Sequence, residues 1–254
     1  MASLGRSPSF AQPYPGLAVF SGARPKVLIV DDDSEVWDPL ARVLDAANME
    51  VEISPIVPGF LLSGRPETPT CLIINVQSTG PDALDFQQEL AAANVFVPII
   101  FVTGCGDIPT TVRAMKNGAI DFLSKPFRDH DLFASVQFAL ALDRAWCDRQ
   151  SEMAAIRVRF ETLSAREREV MAQVVKGRLN KQVGGDLGIS EITVKAHRGK
   201  VMRKMTARSL PDLIQMAGKI GLNPLLSELP LPRRDQALRD VCGKQWLVAA
   251  DRPA

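Results

Sequence analysis

Three consecutive aspartates, Asp31-Asp32-Asp33, close the first apolar run of the chain. Farther on, Asn75 lies in the third such run, Thr103 follows the fourth, and Lys125-Pro126 follows the fifth. Carboxylates, a hydroxyl and an ammonium gathered on one rim suit a phosphoryl group with a hard divalent cation. Each residue alone has a plainer reading. The aspartates suit a helix start, where anions are favoured. Thr103-Gly104 suits a turn, and Lys125-Pro126 a loop. All of them at the ends of successive apolar runs, in this order, argue for one shared site.

A second chemistry lies at 190–205, SEITVKAHRGKVMRKM. Val194, Val201 and Met205 recur at i, i+7 and i+11, one buried stripe of a helix. Lys195, Ala196, Gly199 and Arg203 fall on the opposite side, where small residues let the helix axis approach base edges and long cations reach bases or phosphates. Gly188 breaks the preceding helix and Ser190 caps this one. A helix, a tight glycine turn and a cationic second helix outline a helix-turn-helix. The plainer reading is an amphipathic helix with a solvated basic face. Charge weighs against it: residues 161–223 carry 12 Lys/Arg and 6 Asp/Glu, whereas the whole chain has a net charge of +1. An anion-binding module thus sits on an otherwise acidic protein.

The elements that must position these residues follow from periodicity. Short apolar runs at 26–30, 51–54, 71–76, 97–102 and 119–123 alternate with helix-length segments. Five strands alternating with helices predict a parallel, doubly wound sheet covered on both faces, and such sheets bind ligands at the carboxyl ends of their strands. Pro39 sets the start of the first helix late. Trp37 receives no role from the sequence. Residues 132–160 read as nearly unbroken helix, whose second half carries Met153, Ile156 and Phe160 as a thin seam, either a short coiled coil or a linker. Ser164-Ala-Arg-Glu167 forms a capping box, and Ser209 with Pro211 starts a last helix. Gly184-Gly185 inside the supporting helix costs about 1 kcal/mol each relative to Ala.

The segment 26–146, with VLIVDDD, CLIINV, PIIFVTG and AIDFLSKPF, resembles a response-regulator receiver domain of flavodoxin-like fold. The resemblance implies that Asp31 and Asp32 match the Mg²⁺-binding acid pair, Thr103 and Lys125 the phosphoryl contacts, and Phe122 the aromatic that reports the switch. The phosphoacceptor aspartate is replaced by Asn75. A carboxylate attacks phosphorus; a neutral amide does not at a useful rate, and the lost charge weakens Mg²⁺ binding or abolishes it. The expectation is a pseudo-receiver with no required cofactor and control independent of phosphorylation. The family's dimer surface maps to 109–117, 119–123 and 129–141, leaving a homodimer or a partner protein at the receiver as means of control.

The segment LSAREREVMAQVVKGRLNKQVGGDLGISEITVKAHRGKVMRKM, followed by SLPDLIQMAGKIGL, resembles the LuxR/FixJ-type all-α DNA-binding domain over its whole length. The resemblance implies that Lys195, Ala196 and Gly199 face bases, and that Lys181, Thr193, Arg198, Lys200 and Lys204 touch phosphates. It also implies dimeric binding to inverted half-sites on double-stranded DNA. Gly199 offers no side chain to read a base.

These readings divide the 254 residues into a disordered tail (1–24), a receiver-like domain (25–142), a helical linker (143–160), the helix-turn-helix domain (161–223) and a C-terminal extension (224–254). The longest apolar stretch is far too short to cross a bilayer. Cys71, Cys105, Cys147 and Cys242 lie scattered, which suggests neither a zinc site nor a disulfide framework and suits a reducing cytoplasm. Together these predict a cytoplasmic transcription regulator. Two other readings fit parts of the sequence. One is a receiver-like decoy that titrates a partner. The other is a Mg²⁺-dependent phosphatase using a DxDx(T/V) motif, which fails at Glu35, where Thr or Val belongs.

Overall fold

The computed structural model describes residues 24–33, 35–55, 64–79, 82–104, 106 and 108–222. All but the last residue of the expected tail, and the whole expected extension, lie outside them. The chain divides into two compact units, Met1–Arg144 and Ala145–Ala254.

The first unit is a five-stranded parallel sheet built from β1 (Lys26–Val30), β2 (Glu50–Ser54), β3 (Thr70–Asn75), β4 (Ile99–Thr103) and β5 (Asp121–Ser124), in the order β2-β1-β3-β4-β5. Side chains alternate between its two faces. Val27, Ile29, Cys71, Ile73, Ile100 and Val102 enter one core. Leu28, Val30, Leu72, Ile74, Ile99 and Phe101 enter the other. Helix α1 (Asp38–Ala46) and the first part of α4 (Asp129–Glu161) supply Leu40, Leu44, Leu132, Val136 and Leu140 to the first core. Helices α2 (Asp82–Ala92) and α3 (Ile108–Lys116) supply Leu84, Leu90 and Ala114 to the second. Both faces are therefore covered, which is why the central strands read as continuous apolar runs.

The bounds of β2 to β5 differ from the expected runs by one or two residues, and two of these shifts have a clear local cause. Val76 does not extend β3; it begins a one-turn helix, Val76–Thr79, so Asn75 stands at the strand end. β4 starts at Ile99 rather than at 97, just past Pro98, which has no N–H to give to a ladder. Pro39 lies in the first turn of α1, where its missing N–H is harmless.

The segment read as a charged linker begins with a residue of the first unit. Asp143 is fully buried. Arg65 grips it through two hydrogen bonds of 2.8 and 2.6 Å, and the Thr70 N–H donates to it at 2.7 Å. The bidentate guanidinium offsets the cost of removing that carboxylate from water.

The second unit contains the last turns of α4, then α5 (Ala165–Val174), α6 (Asn180–Leu187), α7 (Glu191–Met205) and α8 (Leu210–Lys219). Its core joins Val170, Met171, Val174, Val183, Val194, Val201, Met205, Leu213 and Ala217. Ile156 is buried in this core and Phe160 packs on it. Their apolar side chains thus serve the helical unit's own interior. The Ser164–Glu167 capping box forms as expected, and Ser190 and Ser209 accept from the Thr193 and Asp212 N–H groups.

Candidate functional site

The carboxyl end of the sheet brings Asp31, Asn75, Thr103 and Lys125 together at the point where strand order reverses between β1 and β3. Asp31 is buried at the end of β1, Asn75 is buried at the end of β3, and Thr103 is buried at the end of β4. One oxygen organises the group. Asp31 Oδ2 accepts from Trp37 Nε1 at 2.8 Å, Asn75 Nδ2 at 3.0 Å and Lys125 Nζ at 3.1 Å. Asp31 Oδ1 accepts from the Asp33 N–H at 3.1 Å. An ionised carboxylate only accepts, so the amide of Asn75 must turn its NH₂ toward Asp31. Its Oδ1 then accepts from the Gln77 N–H at 3.2 Å, which satisfies one orphan donor of the short helix that follows. Burial alone would raise the Asp31 pKa. The hydrogen bonds from Trp37, Asn75, Asp33 and Lys125 outweigh it and hold the carboxyl well below the usual range.

The other residues of the rim are placed as follows. Asp32 is exposed. Phe122 is half-buried, with its ring centroid 6.3 Å from that of Phe101. The Lys125 N–H donates to the Thr103 carbonyl at 2.7 Å, and its ammonium lies 5.4 Å from the Trp37 ring centroid. Mg²⁺ does not fit this rim. The cation needs several oxygens in near-octahedral array, and here the third carboxylate is an amide whose NH₂ faces inward. Asp31 meets positive N–H ends on both oxygens. Among the described residues no group of three His, Cys, Asp or Glu side chains is arranged to hold a metal ion.

The helical unit presents a different surface. α7 buries Val194, Val201 and Met205 and exposes Ile192, Lys195, Ala196, Gly199, Lys200 and Arg203. These six recur at i, i+3, i+4, i+7, i+8 and i+11, one face of a helix. Nothing lies within 4 Å of a Cβ built on Gly199, so the middle of that face is open. Lys195 pairs with Glu191 at 3.2 Å. Thr193 shares a 2.8 Å hydrogen bond with Ser190, Lys181 is exposed at the start of α6, and Arg198 donates to Asn180 at 3.1 Å, joining α6 to α7.

Lys204, also expected at a phosphate, is exposed at the end of α7. Its ammonium donates to Glu167 at 2.7 Å and to the Thr162 carbonyl at 3.0 Å, so it ties α7 to the capped start of α5. That bond, with the Ser164 N–H, pulls the Glu167 pKa down to about 2.

The glycine pair in α6 divides in two. A Cβ on Gly184 would sit 2.7 Å from the Ile189 carbonyl oxygen, and the Ile189 N–H donates to the Gly184 carbonyl at 2.9 Å. The turn closes against α6 only because Gly184 lacks a side chain. Gly185 meets nothing within 4 Å, so the backbone cost expected of the pair can be relieved by a side chain only there. Gly188 ends α6 in the left-handed region at φ 66°.

Two residues of these sites were not found from sequence. Trp37 gave no periodic signal. Ile192 did give one: an exposed apolar residue on the cationic face, 79% accessible.

Family models match both units: residues 27–137 match the response regulator receiver domain, and residues 161–217 match bacterial regulatory proteins of the luxR family. Nodulation protein W of Bradyrhizobium diazoefficiens is 47% identical over 197 residues, which cover 78% of this chain and 87% of that protein. The chain belongs to the LuxR/FixJ-type response-regulator family. This response regulator is also 36% identical over 201 residues to the transcriptional regulatory protein FixJ of Rhizobium meliloti, covering 78% of the one and 97% of the other. Among solved structures it is similar to the response regulator StyR, with TM-score 0.66, 38% identity, and coverage of 78% of this chain and 100% of that one. It is a DNA-binding transcription factor of the two-component type. Among its described residues no helix is long and apolar enough to cross a membrane.

Proposed function

We propose that this response regulator controls transcription without phosphoryl transfer to its receiver, as a cytoplasmic homodimer on inverted half-sites. The observation that carries the reading is the Asn75 side chain. Its NH₂ is spent on Asp31 and its carbonyl on the Gln77 N–H, so the position offers no anionic oxygen to attack phosphorus. Its input is then a partner protein or the dimer equilibrium, since a signal shifts a receiver only by binding its forms unequally.

On the DNA side, α7 enters the major groove with Ile192, Lys195 and Ala196 toward base edges and Gly199 at the closest approach. Lys181, Thr193, Arg198, Lys200 and Arg203 lie toward phosphates. The exposure of the six-residue face supports this assignment. Ile192 adds an apolar surface suited to a thymine methyl.

The test is a mobility-shift titration of the full chain on a selected operator, with and without acetyl phosphate, alongside intact mass. Unchanged affinity and unchanged mass are expected. A phosphoryl adduct on the receiver that alters affinity overturns the reading.

A further inference from the structure

Trp37 belongs neither to phosphoryl chemistry nor to DNA contact, yet it is among the largest fully buried side chains. Its indole N–H is spent on Asp31 Oδ2 at 2.8 Å, on the oxygen that also takes the Asn75 amide and the Lys125 ammonium. Its ring lies beneath that ammonium at 5.4 Å and against Phe127 at 6.1 Å. The start of α1, the ends of β1 and β3, and the segment after β5 thus meet in one network around a single carboxylate.

We infer that Trp37 and Asn75 together stand in for a cation at this rim. Their N–H groups neutralise Asp31 and close the acid pocket to divalent ions, so restoring an aspartate at position 75 restores only weak metal binding while Trp37 stays in place. The inference rests on the phosphorylation-independent reading and goes further: it gives Trp37 half of the block.

The chemistry of the donors carries the argument. A carboxylate oxygen presents about two lone-pair directions, and Asp31 Oδ2 already meets three donors. An arriving ion must displace at least one. Lys125 can yield, because its ammonium rides on a flexible stem. Trp37 cannot turn a ligand atom toward the ion, because the indole nitrogen only donates. Nor can it swing out cheaply, because the ring is 1% exposed and leaving would return a large apolar surface to water. The remaining acid of the pair, Asp32, is exposed and bears one charge, too little to draw a strongly hydrated ion alone.

The test is calorimetric titration of Mg²⁺ into the full-length chain, as wild type, Asn75→Asp, and Asn75→Asp with Trp37→Phe. Wild type gives no saturable binding across the millimolar range. Asn75→Asp binds weakly, and the double variant binds about tenfold more tightly, the worth of a freed charge-assisted hydrogen-bond site. Equal affinity of the single and double variants overturns the role of Trp37. Because Trp37→Phe alters a core residue, a second measurement uses wild type alone. The Trp37 indole N–H resonance stays protected from solvent exchange and unmoved as Mg²⁺ is added; a shift or loss of protection overturns the inference. A phosphoryl adduct on wild type would instead overturn the reading beneath it, and mass spectrometry reports that separately.

Discussion

The two units treat charge in opposite ways. In the receiver unit the decisive charges face inward and answer one another: Asp31 meets Trp37, Asn75 and Lys125, and Asp143 meets Arg65. In the helical unit most of the cations of α7 face outward on one continuous strip, while Arg198 bonds to Asn180 and Lys204 to Glu167. The receiver's polar residues are satisfied by one another, while most of the helix's cations lie at the surface. On the proposed reading, a family member keeps its effector surface while the receiver's acid pocket is filled by the chain's own donors.

Four experiments test this contrast, in descending order of effect. Arg65→Ala removes the guanidinium from a fully buried carboxylate and should cost about 3–5 kcal/mol, read by denaturant unfolding; a cost below about 1 kcal/mol would mean Asp143 is not held by that pair. Gly184→Ala forces a methyl into the Ile189 carbonyl and should destabilise the helical unit by about 1–3 kcal/mol, while Gly185→Ala should stabilise it by up to about 1 kcal/mol. Opposite signs in paired thermal melts are the outcome expected. On the outward face, Arg203→Ala should weaken binding to all duplexes alike and lower the salt slope by about 1, whereas Ile192→Ala should lose about 1 kcal/mol at one T·A position and leave other sequences unchanged. Competition binding at two salt concentrations separates them.

The smallest effect concerns pH. Glu167 has its pKa lowered from 4.5 to about 2 in the folded chain. Its contribution is fully present above the unfolded value and is lost as pH falls from about 4.5 to about 2. Glu167→Gln should flatten the acid limb of the helical unit's stability in that window, measured by hydrogen exchange in α5.

Much of this was legible in the sequence because periodicity records burial. The runs at β1, β3 and β4 are apolar on both sides because helices cover both faces. The stripe Val194, Val201 and Met205 marked the inner face of α7, and the capping residues marked where helices begin. Contacts across the fold were not legible. Nothing in spacing ties Arg65 to Asp143 across 78 positions, because that meeting is made by the tertiary turn of the chain, and the Trp37–Asp31 bond depends on how the loop between β1 and α1 folds back. Gly184 shows the same gap in reverse. Local propensity marked it as a cost, and only the closeness of Ile189 makes it a requirement. Lys204 shows the gap as well, since the carboxylate it pairs with lies 37 residues away.

Helix α4 has a practical consequence. Its residues Leu132, Val136 and Leu140 belong to one interior and Ile156 to another. A fragment begun at 161, where the DNA-binding family match starts, would strip Ile156 and Phe160 from the helical core. Such a fragment would expose apolar surface and lose the Lys219–Glu152 ion pair. A gene fragment opened near 145 retains those groups, and isolated operator binding is better sought from it.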